Sequence, residues 1–343
     1  MYAFKRFLFS EGVGMEKVVE GTSQEKKTPQ KLSIGKRKFW LDWRLYLMLV
    51  PGLISLIVFC YIPMYGIQLA FKEYQPRLGI WDSPICEEGL FANFKYAVAT
   101  KGFWRLVKNT LALGGLKIVF AFPSSIILAL LINEVSYKPF KKSVQTLSYL
   151  PYFISWVIVN AILQIFLKTE LSANGAVLNK VIQAFGGNPI DWYNEPKYWR
   201  AILTITNIWK NMGWGTIVFL AALTNINSDL YEAAQIDGAG YWKQCINVTI
   251  PGIMPAICMT LILSISGIVK DDFEQIYALA GEGSLLSQTT DVLGVWIYKC
   301  MKSGNFLAWG EATAVGLVQS IIGLVLVSLS NWLVRRSGNE GLW

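Results

Sequence analysis

Long uninterrupted apolar blocks constrain this chain more than any other feature of its sequence. A helix needs about 20 apolar residues to cross the hydrocarbon core of a bilayer. Blocks of this length lie at about 45–70, 109–132, 144–167, 202–223, 250–269 and 312–334. Inside lipid every backbone N–H and C=O group needs a partner within its own segment, which favours helices. The sequence therefore predicts an all-α integral membrane protein with six transmembrane helices.

The composition agrees with a membrane protein and argues against an enzyme. Hydrophobic residues make up 53% of the chain and charged residues 16%, against about a quarter charged in soluble domains. The chain contains no histidine, which removes histidine-based catalysis and histidine-ligated metal sites. Its five cysteines are scattered without a Cys-x-x-Cys pair, so a zinc site or disulfide framework is not expected. Cys86 and Cys300 both fall in predicted outer loops, and whether they form a disulfide stays open.

The distribution of Lys and Arg predicts the orientation in the membrane. Basic residues crowd residues 1–44 and the loop 133–143, and Arg335 and Arg336 follow the last apolar block. Positive loops stay cytoplasmic, and an even number of spans puts all of these on one side. We therefore expect cytoplasmic termini, with a flexible basic tail over 1–44, a membrane domain over 45–334 and a short tail over 335–343. The net charge of +8 then needs no nucleic acid to explain it.

The loop between the fourth and fifth blocks has a helix–turn–helix pattern. Ser228 is a plausible N-cap for a short helix over 229–237. Gly238 and Gly240 then break that helix and allow a sharp turn. A second helix is expected from Tyr241 towards Val248, with Pro251 closing it at the start of the fifth span. Such a loop at the membrane surface is suited to docking into a groove of another protein.

Three groups of residues in this loop resemble the EAA-type signature of permease subunits of bacterial ATP-binding-cassette importers. They are Glu232-Ala233-Ala234, Asp237-Gly238-Ala239 and Ile250-Pro251, at the spacing of that family. The stretches 61–84, 208–216 and 338–343 further resemble its carbohydrate-uptake subgroup, in the maltose-permease class. The resemblance covers nearly the whole chain from about Trp40. It departs at Cys245-Ile246, where the family often has an aromatic residue.

This resemblance implies a type I importer permease fold in the plasma membrane of a bacterium. The implied partners are two cytoplasmic ATPases, a second homologous permease and an extracellular substrate-binding lipoprotein. The loop 228–251 would couple the ATPases to the spans. Its coupling residues would be Glu232, Ala233, Ala234, Asp237, Gly238 and Pro251. The chain contains no G-x-x-x-x-G-K-[ST] phosphate loop, so we expect no cofactor in it and ATP hydrolysis by the partners.

Polar residues within the apolar blocks are the candidates for a transport path, because burying them in lipid is costly. The fourth block contains Lys210, with Asn207, Asn211 and Trp214 around it, and the third has Trp156, Asn160 and Gln164 at helical spacing of four. Amides, amines and indole rings suit a sugar. The alternative is hydrogen bonding between helices or packing against a partner subunit. Lys117 and Gln319 are weaker candidates for the path.

An acidic cluster and several competing functions complete the sequence-based expectations. Asp271, Asp272 and Glu274 follow the fifth block, as a solvated loop or as a contact for the binding protein. The solute could also be a peptide or a modified sugar. An ion-coupled carrier would need carboxylates within the spans, and the cores of the six blocks contain none. An intramembrane enzyme would need a catalytic dyad or a metal cluster.

Overall fold

The computed structural model describes residues 43–168, 176–270, 272–281 and 285–343, and regular structure in these ranges is almost entirely helical. Within them one isolated antiparallel bridge joins Lys72 and Ile85. The predicted basic tail lies outside the described residues except for its last two positions. Asp271 of the predicted acidic cluster also lies outside them. The chain divides into two units, Met1–Pro63 and Met64–Trp343.

The helices are labelled in chain order. They are α1 (Trp43–Leu56, continued by Ile57–Tyr61 and Ile62–Phe71), α2 (Ala92–Ala99), α3 (Phe103–Glu134), α4 (Lys138–Phe153), α5 (Trp156–Leu167), α6 (Val177–Ala184), α7 (Trp199–Leu223), α8 (Ser228–Ile236), α9 (Tyr241–Gly252), α10 (Met254–Ser266), α11 (Phe273–Ala280), α12 (Leu293–Lys302) and α13 (Phe306–Arg336). Single helical turns lie at Gly79–Asp82, Pro196–Tyr198 and Ser287–Thr290.

Three described helices are long and apolar enough to cross a membrane unbroken, over Tyr46–Phe71, Phe103–Glu134 and Phe306–Arg336. Two further candidates are bent pairs, with α4 and α5 meeting at 100° and α9 and α10 at 62°. Counting each pair as one span gives up to five among the described residues. The fourth predicted span, over 202–223, is not among these candidates and corresponds to α7, a helix of 25 residues that includes Lys210.

The predicted spans over 144–167 and 250–269, which contain Pro151 and Pro255, are broken helices in the structure. The first breaks at Ile154 and Ser155, which are extended, and the Ser155 hydroxyl then accepts a hydrogen bond from the Ile158 amide to cap α5. The second breaks at Ile253, just before Pro255 in the first turn of α10. Proline has no N–H to donate and its ring clashes with the preceding turn, so a helix tends to restart there.

The largest buried cluster joins α3, α5, α7 and α11. Trp199 at the start of α7 is fully buried in it, beside Leu113, Val159 and Ile276. The Trp199 indole donates a hydrogen bond of 2.6 Å to the Trp192 carbonyl, so its one polar atom is satisfied. A second cluster packs α3 and α7 against the bend between α9 and α10. Helices α3 and α7 therefore form the centre of the second unit.

Glycines allow the closest approaches between these helices. At Gly114 of α3 an added Cβ would lie 2.6 Å from the Ile268 carbonyl oxygen, and at Gly213 of α7 it would overlap the Ser148 carbonyl oxygen of α4. Small residues at helix crossings are typical of membrane proteins, where close packing replaces the hydrophobic effect between helices. The chain just after α10 is thus held against α3 by backbone contact.

We predict that Gly114→Ala destabilises the protein whereas Gly115→Ala does not. The Gly114 substitution forces backbone apart, at a cost of about 1–3 kcal/mol. A Cβ at Gly115 meets nothing within 4 Å and adds helix propensity. Thermal unfolding of the two purified variants in detergent measures the difference. Equal midpoints would contradict the contact described here.

Candidate functional site

A cavity of about 390 Å³ opens between α3, α7 and α10. Its wall is mostly apolar, with Ser125 and Thr260 among the polar side chains. The remaining polar lining comprises Lys117, Asn207, Asn211, Trp214, Ser264, Lys270 and Asp272. Three of the predicted path residues, Asn207, Asn211 and Trp214, thus lie in one wall.

The other four predicted path residues, Lys210, Trp156, Asn160 and Gln164, are not among the residues that line this cavity. The last three are half-buried and spaced by four along α5, as expected for one helix face. The Asn160 side-chain oxygen is buried and has no hydrogen-bond partner among the described residues. Their role in a path stays a prediction.

Lys210 is a buried cation whose charge is satisfied by backbone carbonyls. Its side chain is 7% exposed, and its ammonium donates to the carbonyls of Tyr152 at 2.7 Å and Ile154 at 2.6 Å. The Pro151 carbonyl accepts at 3.4 Å. The ammonium also lies 5.2 Å from the centre of the Trp156 ring. These groups all belong to the break between α4 and α5, so Lys210 ties α7 to that 100° bend.

Trp214 lies one turn further along α7 and faces the cavity. Its ring stacks on Tyr152 with centroids 4.4 Å apart and planes 5° from parallel. The residue is nevertheless 45% exposed, so part of the indole remains open to the cavity. An indole held by stacking on one side is a rigid platform for the apolar face of a pyranose.

A polar cluster closes one end of the cavity. The Asn207 side-chain amide donates to Asp272 at 2.9 Å and to the Gln275 amide oxygen at 3.1 Å. The Lys117 ammonium pairs with the same Asp272 oxygen at 2.5 Å. Gln275 is fully buried and donates back to the Leu203 carbonyl at 2.7 Å. Sequence reasoning identified Asn207, ranked Lys117 low and missed Gln275, because no spacing along the chain connects them.

The weaker candidates of the sequence divide between the cavity and the packing of helices. Gln319 of α13 donates to the Val269 carbonyl at 3.1 Å, so it forms a packing hydrogen bond, which was the alternative to a role in the path.

Cys86 and Cys300 are both free thiols. Burial and the nearby Glu73 raise the pKa of the Cys86 thiol, and burial raises the pKa of Cys300 to about 11. Both thiols therefore stay protonated and unreactive at neutral pH.

The first loop helix, α8, covers Ser228–Ile236, and its N-cap is Asn227, one residue before the expected Ser228. Asn227 has extended backbone, and its side-chain oxygen accepts from the Asp229 amide at 3.1 Å. The Ser228 N-cap is therefore wrong, and Ser228 is the first helical residue. Glu232 and Ala233 are exposed on this helix and Ala234 is half-buried.

The turn after α8 has the hydrogen bonds of a Schellman motif. The Ala239 amide donates to the Ala234 carbonyl at 2.8 Å and the Gly238 amide to the Gln235 carbonyl at 3.0 Å. Gly238 has φ of +73°, a conformation that glycine adopts without strain. The Asp237-Gly238-Ala239 part of the signature is thus a helix C-cap, which explains its glycine in physical terms.

The second loop helix, α9, does not end near Val248. It continues through a π turn over Cys245–Thr249 and reaches Gly252, so the expectation that Pro251 closes it at that point is wrong. Pro251 lies in the first turn of the last segment, Ile250–Gly252, where a proline is tolerated. The Tyr231 hydroxyl and the Thr249 hydroxyl are 3.0 Å apart, which fastens α8 to α9.

The chain matches a known protein family and is similar to two bacterial proteins over most of its length. Residues 121–338 match the family described as "Binding-protein-dependent transport system inner membrane component". Protein LplB of Bacillus subtilis strain 168 is 37% identical over 327 residues, covering 94% of this chain and 99% of the relative. The polygalacturonan/rhamnogalacturonan transport system permease protein YteP of the same organism is 39% identical, covering 87% and 90%.

A solved structure is similar over nearly the same length. It is the crystal structure of a bacterial alginate ABC transporter in complex with an alginate pentasaccharide-bound periplasmic protein. Its matched chain is 37% identical, with a TM-score of 0.78, and the match covers 89% of this chain and 99% of that one. The type I permease fold expected from the sequence is thereby confirmed.

We predict that Lys210→Met lowers the thermal unfolding midpoint of the purified protein by several degrees. The substitution leaves buried carbonyls without their charged donor, a loss of about 1.5–3 kcal/mol. Lys243→Met, at an exposed position of α9, is the matched control and should unfold at the wild-type temperature. If Lys210→Met unfolded normally but failed to transport, its ammonium would belong to the path instead.

Proposed function

The chain belongs to the family of binding-protein-dependent transport system inner membrane components, and from that membership we propose that it forms half of the translocation path of an ATP-driven importer of sugars or oligosaccharides. It is a transport component and not an enzyme. The observation that carries the proposal is the full-length similarity to sugar-polymer permeases, joined to a cavity lined by amides and an indole.

The chemistry of the cavity supports a carbohydrate solute. The side-chain amides of Asn207 and Asn211 can both donate to and accept from sugar hydroxyls. Trp214 adds an open aromatic surface on the same wall. A mostly apolar wall with a few placed polar groups is typical of a small-molecule site. Among the proteins named above, YteP is a polygalacturonan/rhamnogalacturonan transport system permease protein and the solved structure is of an alginate ABC transporter, so an oligosaccharide derived from a polymer is the favoured solute.

The proposed topology has six spans and cytoplasmic termini in a bacterial plasma membrane. The long helices provide three spans and the two bent pairs provide two more. Helix α7 is the remaining span, and its length of 25 residues is sufficient to cross. The charge of Lys210 is satisfied by carbonyls, which removes the main objection to burying it.

The proposed partners are two ATPases below the membrane, a second homologous permease beside the chain and a substrate-binding protein outside. The ATPases hydrolyse ATP, and this chain holds no cofactor of its own. Helix α8 is the coupling helix. Its exposed Glu232 and Ala233 meet the ATPase, the half-buried Ala234 allows close approach and Gly238 makes the turn. Asp237 caps α8, while Pro251 lies in the segment that leads to the bend before α10.

The bend gives the coupling helix a mechanical connection to the cavity. The hydroxyl contact between Tyr231 and Thr249 holds α8 against α9, and α9 runs on to Gly252. Thr260 and Ser264 of α10, beyond the bend, line the cavity. A displacement of α8 by the ATPases would therefore tilt α9 and move that wall, which is how access to the cavity would alternate.

We predict that Glu232→Lys lowers ATP-driven uptake at least about tenfold, because a reversed charge at a docking surface repels its partner. The neutral Glu232→Gln should fall between wild type and Glu232→Lys. Glu87→Lys, an exposed site in a predicted outer loop, is the control for the charge change. Uptake into proteoliposomes and co-purification of the ATPase are the measurements. An ATPase bound equally by all variants would contradict the coupling role.

We predict a second contrast within the same turn. Gly238→Ala places a side chain at φ of +73°, which costs about 1–2 kcal/mol and weakens ATPase association roughly five- to thirtyfold. Gly240→Ala has φ of −69° and open space around its Cβ, so it should behave as wild type. Equal affinities of the two variants for the ATPase would show that the turn geometry does not matter.

A further inference from the structure

Lys117 is a cation in the middle of a long apolar helix, and the structure turns it towards the cavity. It opens the π turn Lys117–Ala121 within α3, closed by the Phe122 amide, which donates to the Lys117 carbonyl five residues back. A π turn inserts one residue into a helix and changes the direction of nearby side chains, and such turns are frequent at functional sites. A cation at this depth is costly unless it faces a polar partner or a cavity.

Asp272, the partner of Lys117, is an exposed group at the edge of the cavity. The side chain of Asp272 is 47% exposed and that of Lys117 is 21% exposed. The same carboxylate oxygen accepts from Asn207 at 2.9 Å. Asp272 precedes α11 on non-helical backbone. Because the carboxylate of Asp272 is half exposed and another carboxylate would keep the Lys117 ammonium paired, the one can be exchanged for the other at small cost.

The charge and shape of the cavity favour an acidic solute. Its described lining contains Lys117, Lys270 and Asp272, which leaves one positive charge in excess. Asn207, Asn211 and Trp214 lie at i, i+4 and i+7 on one face of α7. That row runs about 10 Å along the helix from the Lys117 pair to the exposed indole. A sugar ring on Trp214 can therefore place a carboxylate near Lys117.

We propose that Lys117 is the carboxylate-binding subsite of this cavity and that Asp272 occupies it when no acidic sugar is bound. A uronate carboxylate would take the place of Asp272 on the ammonium, with the Asn207 amide as a second donor. The exchange trades one lysine–carboxylate pair for another and neutralises the excess charge of the lining. This inference rests on the proposed function and names its solute class as oligosaccharides that contain uronic acids.

The test uses the substitutions Lys117→Met and Asp272→Asn. A carboxylate-binding subsite predicts opposite changes in affinity for an acidic sugar, whereas a purely structural ion pair predicts a loss in both variants. The complete transporter is purified with its partner permease and ATPases, and binding of radiolabelled trigalacturonate is compared with binding of its methyl ester. Lys117→Met should weaken trigalacturonate binding about tenfold, the loss of one charge-assisted contact. Asp272→Asn keeps an acceptor for Asn207 but frees the ammonium, so binding should tighten several-fold. The methyl ester should bind both variants within about twofold of wild type.

Controls separate this proposal from a structural role and from the proposed function. Lys95→Met, an exposed lysine outside the cavity, should bind as wild type. If the pair only joins α3 to the segment before α11, both single variants lose thermal stability and bind both sugars less well, and the exchange Lys117→Asp with Asp272→Lys restores them. That result, or no trigalacturonate binding by Asp272→Asn, overturns the subsite. The importer function is tested separately, by whether the binding protein stimulates ATP hydrolysis in the wild-type transporter. That result does not depend on whether Lys117 binds the solute.

Discussion

The contact between the Lys210 ammonium and the carbonyls at the end of α4 holds the architecture of the cavity together. The chain breaks at Ile154 and Ser155, so the Tyr152 and Ile154 carbonyls need a donor from elsewhere, and a buried carbonyl without a donor is costly. The ammonium satisfies them while they satisfy its charge. The same contact brings Tyr152 beneath Trp214, so the indole that faces the cavity is positioned by the bend. Lys210, which was expected to contact the solute, is therefore not part of the cavity lining. It positions Trp214, which is part of that lining.

Close helix packing and the cavity have a common origin. Gly213 lets α7 approach α4 at backbone distance, and Gly114 does the same for α3 against Ile268. A Cβ at Gly215 would come within 2.6 Å of the Ser125 hydroxyl, so α7 also lies close to α3 there. The cavity lies between these helices, and its mostly apolar lining includes Ile118, Phe122 and Val218 beside the polar groups. The Lys117–Asp272 pair lies where an inserted residue in α3 and non-helical backbone before α11 free both side chains from regular packing.

The loop proposed to couple to the ATPases has two well-defined helices, followed by a change of direction at the start of α10. Its first helix has a side-chain cap at Asn227 and a Schellman turn at Gly238, so both ends are defined by local hydrogen bonds. The Tyr231–Thr249 contact fastens it to α9. The chain then bends by 62° before Met254. Stiff helices on either side of a single break are the arrangement by which a small displacement at a surface can be carried to a cavity.

The sequence alone determined the features that depend on a short window of residues. Apolar length predicted a helical membrane protein, and the glycines at 238 and 240 predicted a sharp turn, which the structure forms at Gly238. Both predictions succeed because turn and helix preferences act over a few residues. Only the tertiary structure decided where the helices break and which polar groups meet. Lys210 binds carbonyls 56 to 59 residues away, and Lys117 pairs with a carboxylate 155 residues away. Hydropathy treats the broken segment over 144–167 like a straight span, since apolar content does not reveal which carbonyls a distant lysine will satisfy.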